Sequence, residues 1–202
     1  MTATNFINIT PLEDINLCDD LIALFYEYEH HHSQGEVLES NVKGYVKNTK
    51  IKDSTDLSIL WEDAERIATI KRYQEDLTKQ VIKYGYEYEA IQNLKMDFTR
   101  AFNIQFYKPK GGYKAWHFER DHNTQERAFA FMTYLNDVPN GGTEFYYQGT
   151  TTQAKKGDTV IWPAEWTHAH KSQVSKEHEK YIATGWLELK KDNETDRKEN
   201  VF

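Results

Sequence analysis

The chain has one cysteine, Cys18, so no disulfide can close within its 202 residues, and a reducing, cytoplasmic setting is expected. It has no apolar run near the ~18 residues that a membrane-crossing helix needs, so no membrane partner is expected. Residues 1–12 lack the basic region and apolar stretch of a secretory signal and carry early threonines instead. Positive charge is also short: 25 Lys and Arg stand against 32 Asp and Glu, a formal net charge of -7. Nucleic acid is bound by neutralising phosphates, so this balance argues against it as a general partner. Aromatic side chains are plentiful, at 14% of residues with 13 Tyr and 5 Trp. Such rings serve cores and pocket walls alike.

The length fits one domain spanning 1–202, in three stretches of different texture. Residues 1–99 read as a helical buttress. In 18–29, Leu21, Ile22, Leu24, Phe25 and Tyr28 fall on one stripe, with Asp19 and Asp20 suited to a first turn. A second helical stretch is expected over 57–95, with Leu60, Ile67, Ile70, Leu77, Val81 and Tyr84 apolar and Gly85 as a bend or break. From 100 to 189 the texture changes to short β-rich runs at 102–107, 128–135, 143–147, 159–162 and 181–189, separated by Gly, Pro, Asn and Asp. That spacing points to a β-sandwich or barrel. Residues 190–202 form a charged tail.

The chemistry concentrates in two segments. In Gly111-Gly112-Tyr113-Lys114-Ala115-Trp116-His117-Phe118-Glu119, an imidazole and a carboxylate stand two residues apart, so in extended chain both project to one face. A third metal ligand fits in Trp162-Pro163-Ala164-Glu165-Trp166-Thr167-His168-Ala169-His170, where two histidines are open candidates; Asp121 rivals Glu119. Two histidines and one carboxylate on one side of an ion leave positions free, the arrangement of non-haem Fe(II) sites that use oxygen. A lone His-x-Glu recurs by chance, and the surroundings must carry the argument. Lys180 opens an apolar strand, where a cation is ordinarily solvated but can also turn inward to a carboxylate. His30, His31 and His32 suit the end of a helix without any metal.

In order, Tyr107-Lys108-Pro109-Lys110-Gly111-Gly112, His117-Phe118-Glu119, Thr133-Tyr134-Leu135-Asn136-Asp137, Asn140-Gly141-Gly142-Thr143-Glu144-Phe145, Lys156-Gly157-Asp158 with Trp162-Pro163, and the His170 to Lys180 interval resemble the Fe(II)- and 2-oxoglutarate-dependent dioxygenases, in their prolyl 4-hydroxylase-like branch. The resemblance covers about residues 102–189. It implies a mainly β fold with N-terminal helices around a double-stranded β-helix, the jelly-roll core shared with cupins. It further implies His117, Glu119 and His170 as metal ligands, the separation from Lys180 favouring His170 over His168. Lys180 would hold the far carboxylate of 2-oxoglutarate, with Tyr134 as hydroxyl partner and Tyr107 at the border of the cosubstrate. No catalytic side chain is implied beyond the ligands. Glu119 departs from the commoner aspartate and still offers a hard oxygen.

The implied cofactors are Fe(II), 2-oxoglutarate and O2, with ascorbate as an accessory reductant. The implied reaction is hydroxylation of a peptidyl proline or another amino-acid-like substrate, with release of succinate and CO2. The partner is thus a peptide or small-molecule substrate, with Trp116, Arg120 and Arg127 as candidate contacts. The sequence does not specify an oligomeric state. A cupin-like metal-binding or sensory module without turnover is the alternative, and an oxygenase that uses no keto acid is a third reading; Lys180 speaks against both.

Overall fold

The computed structural model of the protein describes residues 5–38 and 44–190, so the expected charged tail, beyond Lys190, lies outside the described residues. The strands that build the fold are, in chain order, β1 (Asn8–Pro11), β2 (Thr55–Leu60), β3 (Ala101–Tyr107), β4 (Arg127–Tyr134), β5 (Thr143–Phe145), β6 (Asp158–Pro163), β7 (His170–Ser172) and β8 (Lys180–Leu189). One antiparallel sheet runs β1, β6, β4, β8, β3, β2, edged by Ser33–Gln34, with Met96–Phe98 also paired to β8. A smaller sheet places β5 between Thr150–Thr151 and β7. Phe145 of β5 clusters with Ala130, Met132, Val160 and Trp162 of the large sheet, so the two sheets face each other as in a jelly roll.

The large sheet is covered on both faces, and its side chains divide with the period of two that strand geometry imposes. In β4, Phe129 and Phe131 join the outer cluster, whereas Ala130, Met132 and Tyr134 join the inner one. The outer face is sealed by α1 (Leu17–Glu27) and α2 (Ala68–Glu87), through Leu21, Phe25, Ile70, Tyr73 and Leu77. Each such apolar side chain contributes about 1.5–3 kcal/mol when fully buried. The inner face forms the wall of the site.

All five β-rich runs expected after residue 100 are strands, with ends shifted by one or two residues. The expected helical buttress over 1–99 is corrected: β1 and β2 belong to the large sheet, and among the described residues there α1 and α2 are the α-helices. At the start of the stretch 57–95, Leu57 and Ile59 of β2 face the outer core while Asp56 lines the opposite side, so this part is strand and not helix. Gly85 does not interrupt α2, because its backbone faces open space and only the modest helix penalty of glycine applies.

Gly185, midway along β8, marks where the outer core is tightest: an added Cβ would lie 2.6 Å from Cζ of Phe131 and 3.2 Å from Cβ of Phe102. Both rings are fully buried and cannot swing aside. Gly185→Ala is therefore expected to lower stability by about 1–3 kcal/mol. Denaturant unfolding measures this, and an unchanged midpoint would contradict the packing described.

Candidate metal centre

The approach to His117 is an extended segment that leaves strand β3 and crosses to β7. His117 and His170 form an antiparallel bridge, with N–H of His117 donating to the His170 carbonyl at 3.0 Å and N–H of His170 donating back at 2.8 Å. That pair of bonds sets the two imidazoles side by side, ring centroids 4.3 Å apart. Glu119 is fixed by its own N–H, which donates to the Ala164 carbonyl at 3.0 Å. Its Oε1 then lies 3.5 Å from Nε2 of His117 and 3.2 Å from Nε2 of His170. Among the described residues this is the one cluster in which three His, Cys or carboxylate side chains bring ligand atoms within 4.8 Å of each other.

The hydrogen bonds around the cluster decide what it can hold. Nδ1 of His117 lies 3.1 Å from the Ala115 carbonyl, and Nδ1 of His170 lies 3.0 Å from the His168 carbonyl. A carbonyl only accepts, so each Nδ1 carries the proton and each neutral ring turns a bare Nε2 toward the other ligands. Two bare nitrogens and a carboxylate oxygen facing one another are three acceptors without a donor. A proton or a cation must relieve them. Burial lowers the pKa of His117, and the neighbouring His170 lowers it further, which disfavours the proton. Burial would raise the pKa of Glu119, but hydrogen bonds from the two imidazoles, and their charge when protonated, hold the carboxyl well below its usual range, so the carboxylate is ionised whether a proton or a cation fills the gap. Neutral imidazoles and an ionised carboxylate form a donor set suited to a divalent metal such as Fe(II), with room for further ligands on the cavity side.

Glu119 is oriented from the far side too. Nε1–H of Trp186 donates to its Oε2 at 2.8 Å, and the guanidinium of Arg127, stacked 3.6 Å from the Trp186 ring centroid, lies 3.8 Å from the same oxygen. Tyr113 stacks on His117 at 3.5 Å between centroids. Trp186 and Tyr113 had no motif to single them out, since each acts through a neighbour far away in sequence or by its ring face alone.

The centre opens into a cavity of about 440 Å³ between the two sheets. Tyr107, Thr143 and Ile182 line it, as do Lys52, Asp56 and Gln105. Lys180 is 4% exposed and is not on the lining; its ammonium donates to the Gly141 carbonyl at 3.0 Å and sits 5.2 Å from the Tyr107 ring centroid. Burial pushes its pKa down to about 8. The hydroxyl of Tyr134 is engaged by Thr143 at 2.9 Å and Thr152 at 2.7 Å, so Thr143 presents itself to the cavity in its place. Tyr107 faces the cavity, and its hydroxyl donates to Gln105 Oε1 at 2.6 Å.

Of the three expected substrate contacts, only Arg127 lines the cavity. The placement of the other two is corrected. Trp116 turns outward under the Lys171 ammonium, and Arg120 is drawn to Glu165. His168 is also outside the centre: it is buried against the Asn5 carbonyl, 3.0 Å from its Nε2. Asp121 reaches the cavity, but its carboxylate caps the following turn through Asn123 N–H and the Thr124 hydroxyl. His32 stacks on Phe25, and no metal cluster forms at His30–His32.

A jelly roll carrying two histidines and one carboxylate at its mouth defines a class of mononuclear metal proteins. Residues 102–188 match the sequence profile of the 2OG-Fe(II) oxygenase superfamily. Solved structures share the fold across nearly the whole chain. A prolyl 4-hydroxylase from Pseudomonas putida aligns over 93% of this chain and 95% of its own, with 15% identity and a TM-score of 0.67. A prolyl hydroxylase from Trichoplax adhaerens, solved with a peptide fragment of the hypoxia inducible factor oxygen degradation domain, aligns over 98% and 89%, with 15% identity and a TM-score of 0.71. The viral collagen prolyl hydroxylase of Paramecium Bursaria Chlorella virus-1, solved with 2-oxoglutarate, aligns over 92% and 97%, with 16% identity and a TM-score of 0.62. No curated protein sequence matches this one.

Two metal-binding outcomes are expected. His170→Ala abolishes stoichiometric Fe(II) or Co(II) binding, while His168→Ala retains it, as read by calorimetric titration. Trp186→Phe keeps the ring stack but removes the donor to Glu119, weakening metal affinity about 10–100-fold. Unchanged affinity in that variant would show that Glu119 does not need its outer partner.

Proposed function

We propose that this protein is an Fe(II)- and 2-oxoglutarate-dependent dioxygenase that hydroxylates a peptidyl proline or another amino-acid-like substrate. The observation that carries the reading is the convergence of His117 Nε2, Glu119 Oε1 and His170 Nε2 as three acceptors at the edge of an internal cavity. The chemistry supplied when Fe(II), 2-oxoglutarate and O2 are bound is conversion of one substrate C–H to C–OH, with the second oxygen atom entering succinate and CO2 released. The residues of this chain do the positioning. His117, Glu119 and His170 hold the metal from one side, with their orientation set by the Ala115 and His168 carbonyls and by Trp186.

Lys180 supports the keto acid as cosubstrate. Among the described residues no carboxylate pairs with its ammonium, which is buried beside the inner wall on the same strand face as cavity-lining Ile182. A buried cation without a counterion favours an anionic ligand. Tyr107 and Thr143, which line the cavity close by, would shape the passage to it, with Tyr134 holding the Thr143 hydroxyl in place. Met132, Trp162 and Ile182 give the cavity an apolar wall on the inner face of the large sheet. A metal-binding module without turnover would have no use for Lys180 at that place.

Succinate formation from 2-oxoglutarate, dependent on Fe(II) and lost in His117→Ala, is the expected result. Metal binding without any decarboxylation would leave the binding module as the better reading. Lys180→Ala is expected to raise the KM for 2-oxoglutarate roughly 10–100-fold, the worth of a charge-assisted hydrogen bond, and to leave metal affinity unchanged. The pH dependence has a defined sign. The free ammonium titrates near 8, and a bound carboxylate raises that value again, so binding takes up a proton above pH 8. Affinity for 2-oxoglutarate should therefore fall as pH rises above about 8, approaching tenfold per unit.

A further inference from the structure

The cavity has a second polar wall, set apart from the metal ligands. It is built by neighbouring strands: Asp56 of β2 stands opposite Gln105 of β3, and Tyr107 follows Gln105 on the same strand face. Lys52, Asp56, Gln105 and Tyr107 all line the cavity and are at most 9% exposed. Lys52 Nζ donates to Asp56 Oδ2 at 2.6 Å, and the Gln105 amide nitrogen donates to the same oxygen at 3.2 Å. The Tyr107 hydroxyl donates to Gln105 Oε1 at 2.6 Å. The other carboxylate oxygen, Asp56 Oδ1, is buried with no hydrogen-bond partner among the described residues.

The direction of every bond in this chain follows from its first member. A carboxylate only accepts, so Gln105 turns its amide nitrogen to Asp56 and its amide oxygen to Tyr107. The Tyr107 proton is thereby committed to Gln105, and the phenol oxygen keeps only lone pairs for other neighbours. The wall therefore offers acceptors, at Asp56 Oδ1 and Tyr107 Oη, where the carboxylates of a keto acid need donors. It suits a ligand group with N–H, because a buried acceptor left unpaired is destabilising and a ligand donor recovers that loss. Lys52 sets the charge of the group. Its ammonium already neutralises Asp56, so a cationic ligand gains little net attraction and meets a like charge close by. The same ammonium has donors to spare for an acceptor. Donor and acceptor side by side on an uncharged group describe a carboxamide. Other cations of the lining are engaged elsewhere: Lys171 with Glu144 at 3.3 Å, and Arg127 with the Glu119 carbonyl at 3.2 Å, its Nε being left over.

We infer that Asp56, with Lys52 beside it and Gln105 and Tyr107 holding its orientation, is a specificity-determining subsite for an uncharged carboxamide on the substrate, as in a glutamine or asparagine side chain. Proline cannot fill this role, since neither its ring nor its peptide nitrogen carries an N–H. The inference rests on the dioxygenase reading and, within it, selects an amide-bearing amino-acid-like substrate over a peptidyl proline.

The test compares the N-acetyl, N-methylamide derivatives of glutamine, asparagine, leucine, lysine and proline, which share one backbone. Each is titrated calorimetrically into the full-length protein loaded with Fe(II) and 2-oxoglutarate in the absence of oxygen. The better of the two carboxamide derivatives is expected to bind about tenfold or more tighter than the leucine derivative, the effect of one hydrogen bond to a charged group. Asp56→Asn should erase that preference, because its amide oxygen stays on Lys52 and its N–H groups then face those of the ligand. The ratio between derivatives is the readout, which a general loss of packing would not move, and Fe(II) titration checks that the variant is folded. Should the variant fail to fold, the wild-type ratios alone decide. Equal binding of the carboxamide and leucine derivatives overturns the proposal, since water alone would then serve Asp56. So does tighter binding of the lysine or proline derivative, a preference that survives Asp56→Asn, or no saturable binding by any derivative. If no succinate forms from 2-oxoglutarate in air with any derivative, the dioxygenase reading fails by itself, and the binding ratios still report on the subsite.

Discussion

The two backbone hydrogen bonds between His117 and His170 join the segment that approaches the roll to the strand that closes it. Side-chain geometry at the metal centre follows from this bridge, because it fixes where both Cβ atoms point and how close the rings come. Each ring is then locked by a carbonyl two residues earlier, in Ala115 and in His168. The same local device occurs twice, once on each side of the bridge. Neutral imidazoles so held have their free nitrogens already aimed at one point, which would spare reorganisation on binding the proposed ion.

The layers around the bridge divide the work. The outer face of the large sheet is sealed by α1 and α2 and by tight contacts such as that of Gly185 with Phe131, which hold the sheet in one shape. The inner face can then carry groups that would weaken an ordinary core. Lys180 is buried with only a carbonyl partner, Asp56 keeps a buried oxygen without one, and three acceptors crowd at the metal centre. Each is destabilising by itself. Their concentration along one cavity marks the part of the molecule whose partners are ligands and not protein.

Much of this was legible in the sequence, for definite reasons. The strands after residue 100 alternate between two covered faces and are separated by segments with Gly, Asn, Asp or Pro, so their type and approximate bounds could be read. The convergence of His117 and Glu119 was legible because residues two apart share a face of an extended chain. His170 could be separated from His168 only by resemblance, and the structure gives the physical reason: His168 turns to the Asn5 carbonyl and lends the centre its own carbonyl. Backbone groups have no letter in a sequence, and that contribution was invisible. Strand β2 was misread because Leu57 and Leu60 stand three apart, a spacing that also fits a helix, and run on toward α2. Trp186 reaches the site only through a contact distant in sequence, Tyr113 does so by its ring face on His117, and Trp116 and Arg120, adjacent in sequence to the candidate ligands, face away from it.

The central claim is that these three side chains hold Fe(II) and leave adjoining positions for the keto and carboxylate oxygens of 2-oxoglutarate. Visible absorption of the Fe(II)-loaded protein under anaerobic titration with 2-oxoglutarate tests it most directly, since a metal-to-ligand charge-transfer band requires the keto acid on the metal. The account predicts a band that saturates at one 2-oxoglutarate per iron and is retained when His168 is replaced by alanine. Fe(II) bound in stoichiometric amount with no such band would contradict it.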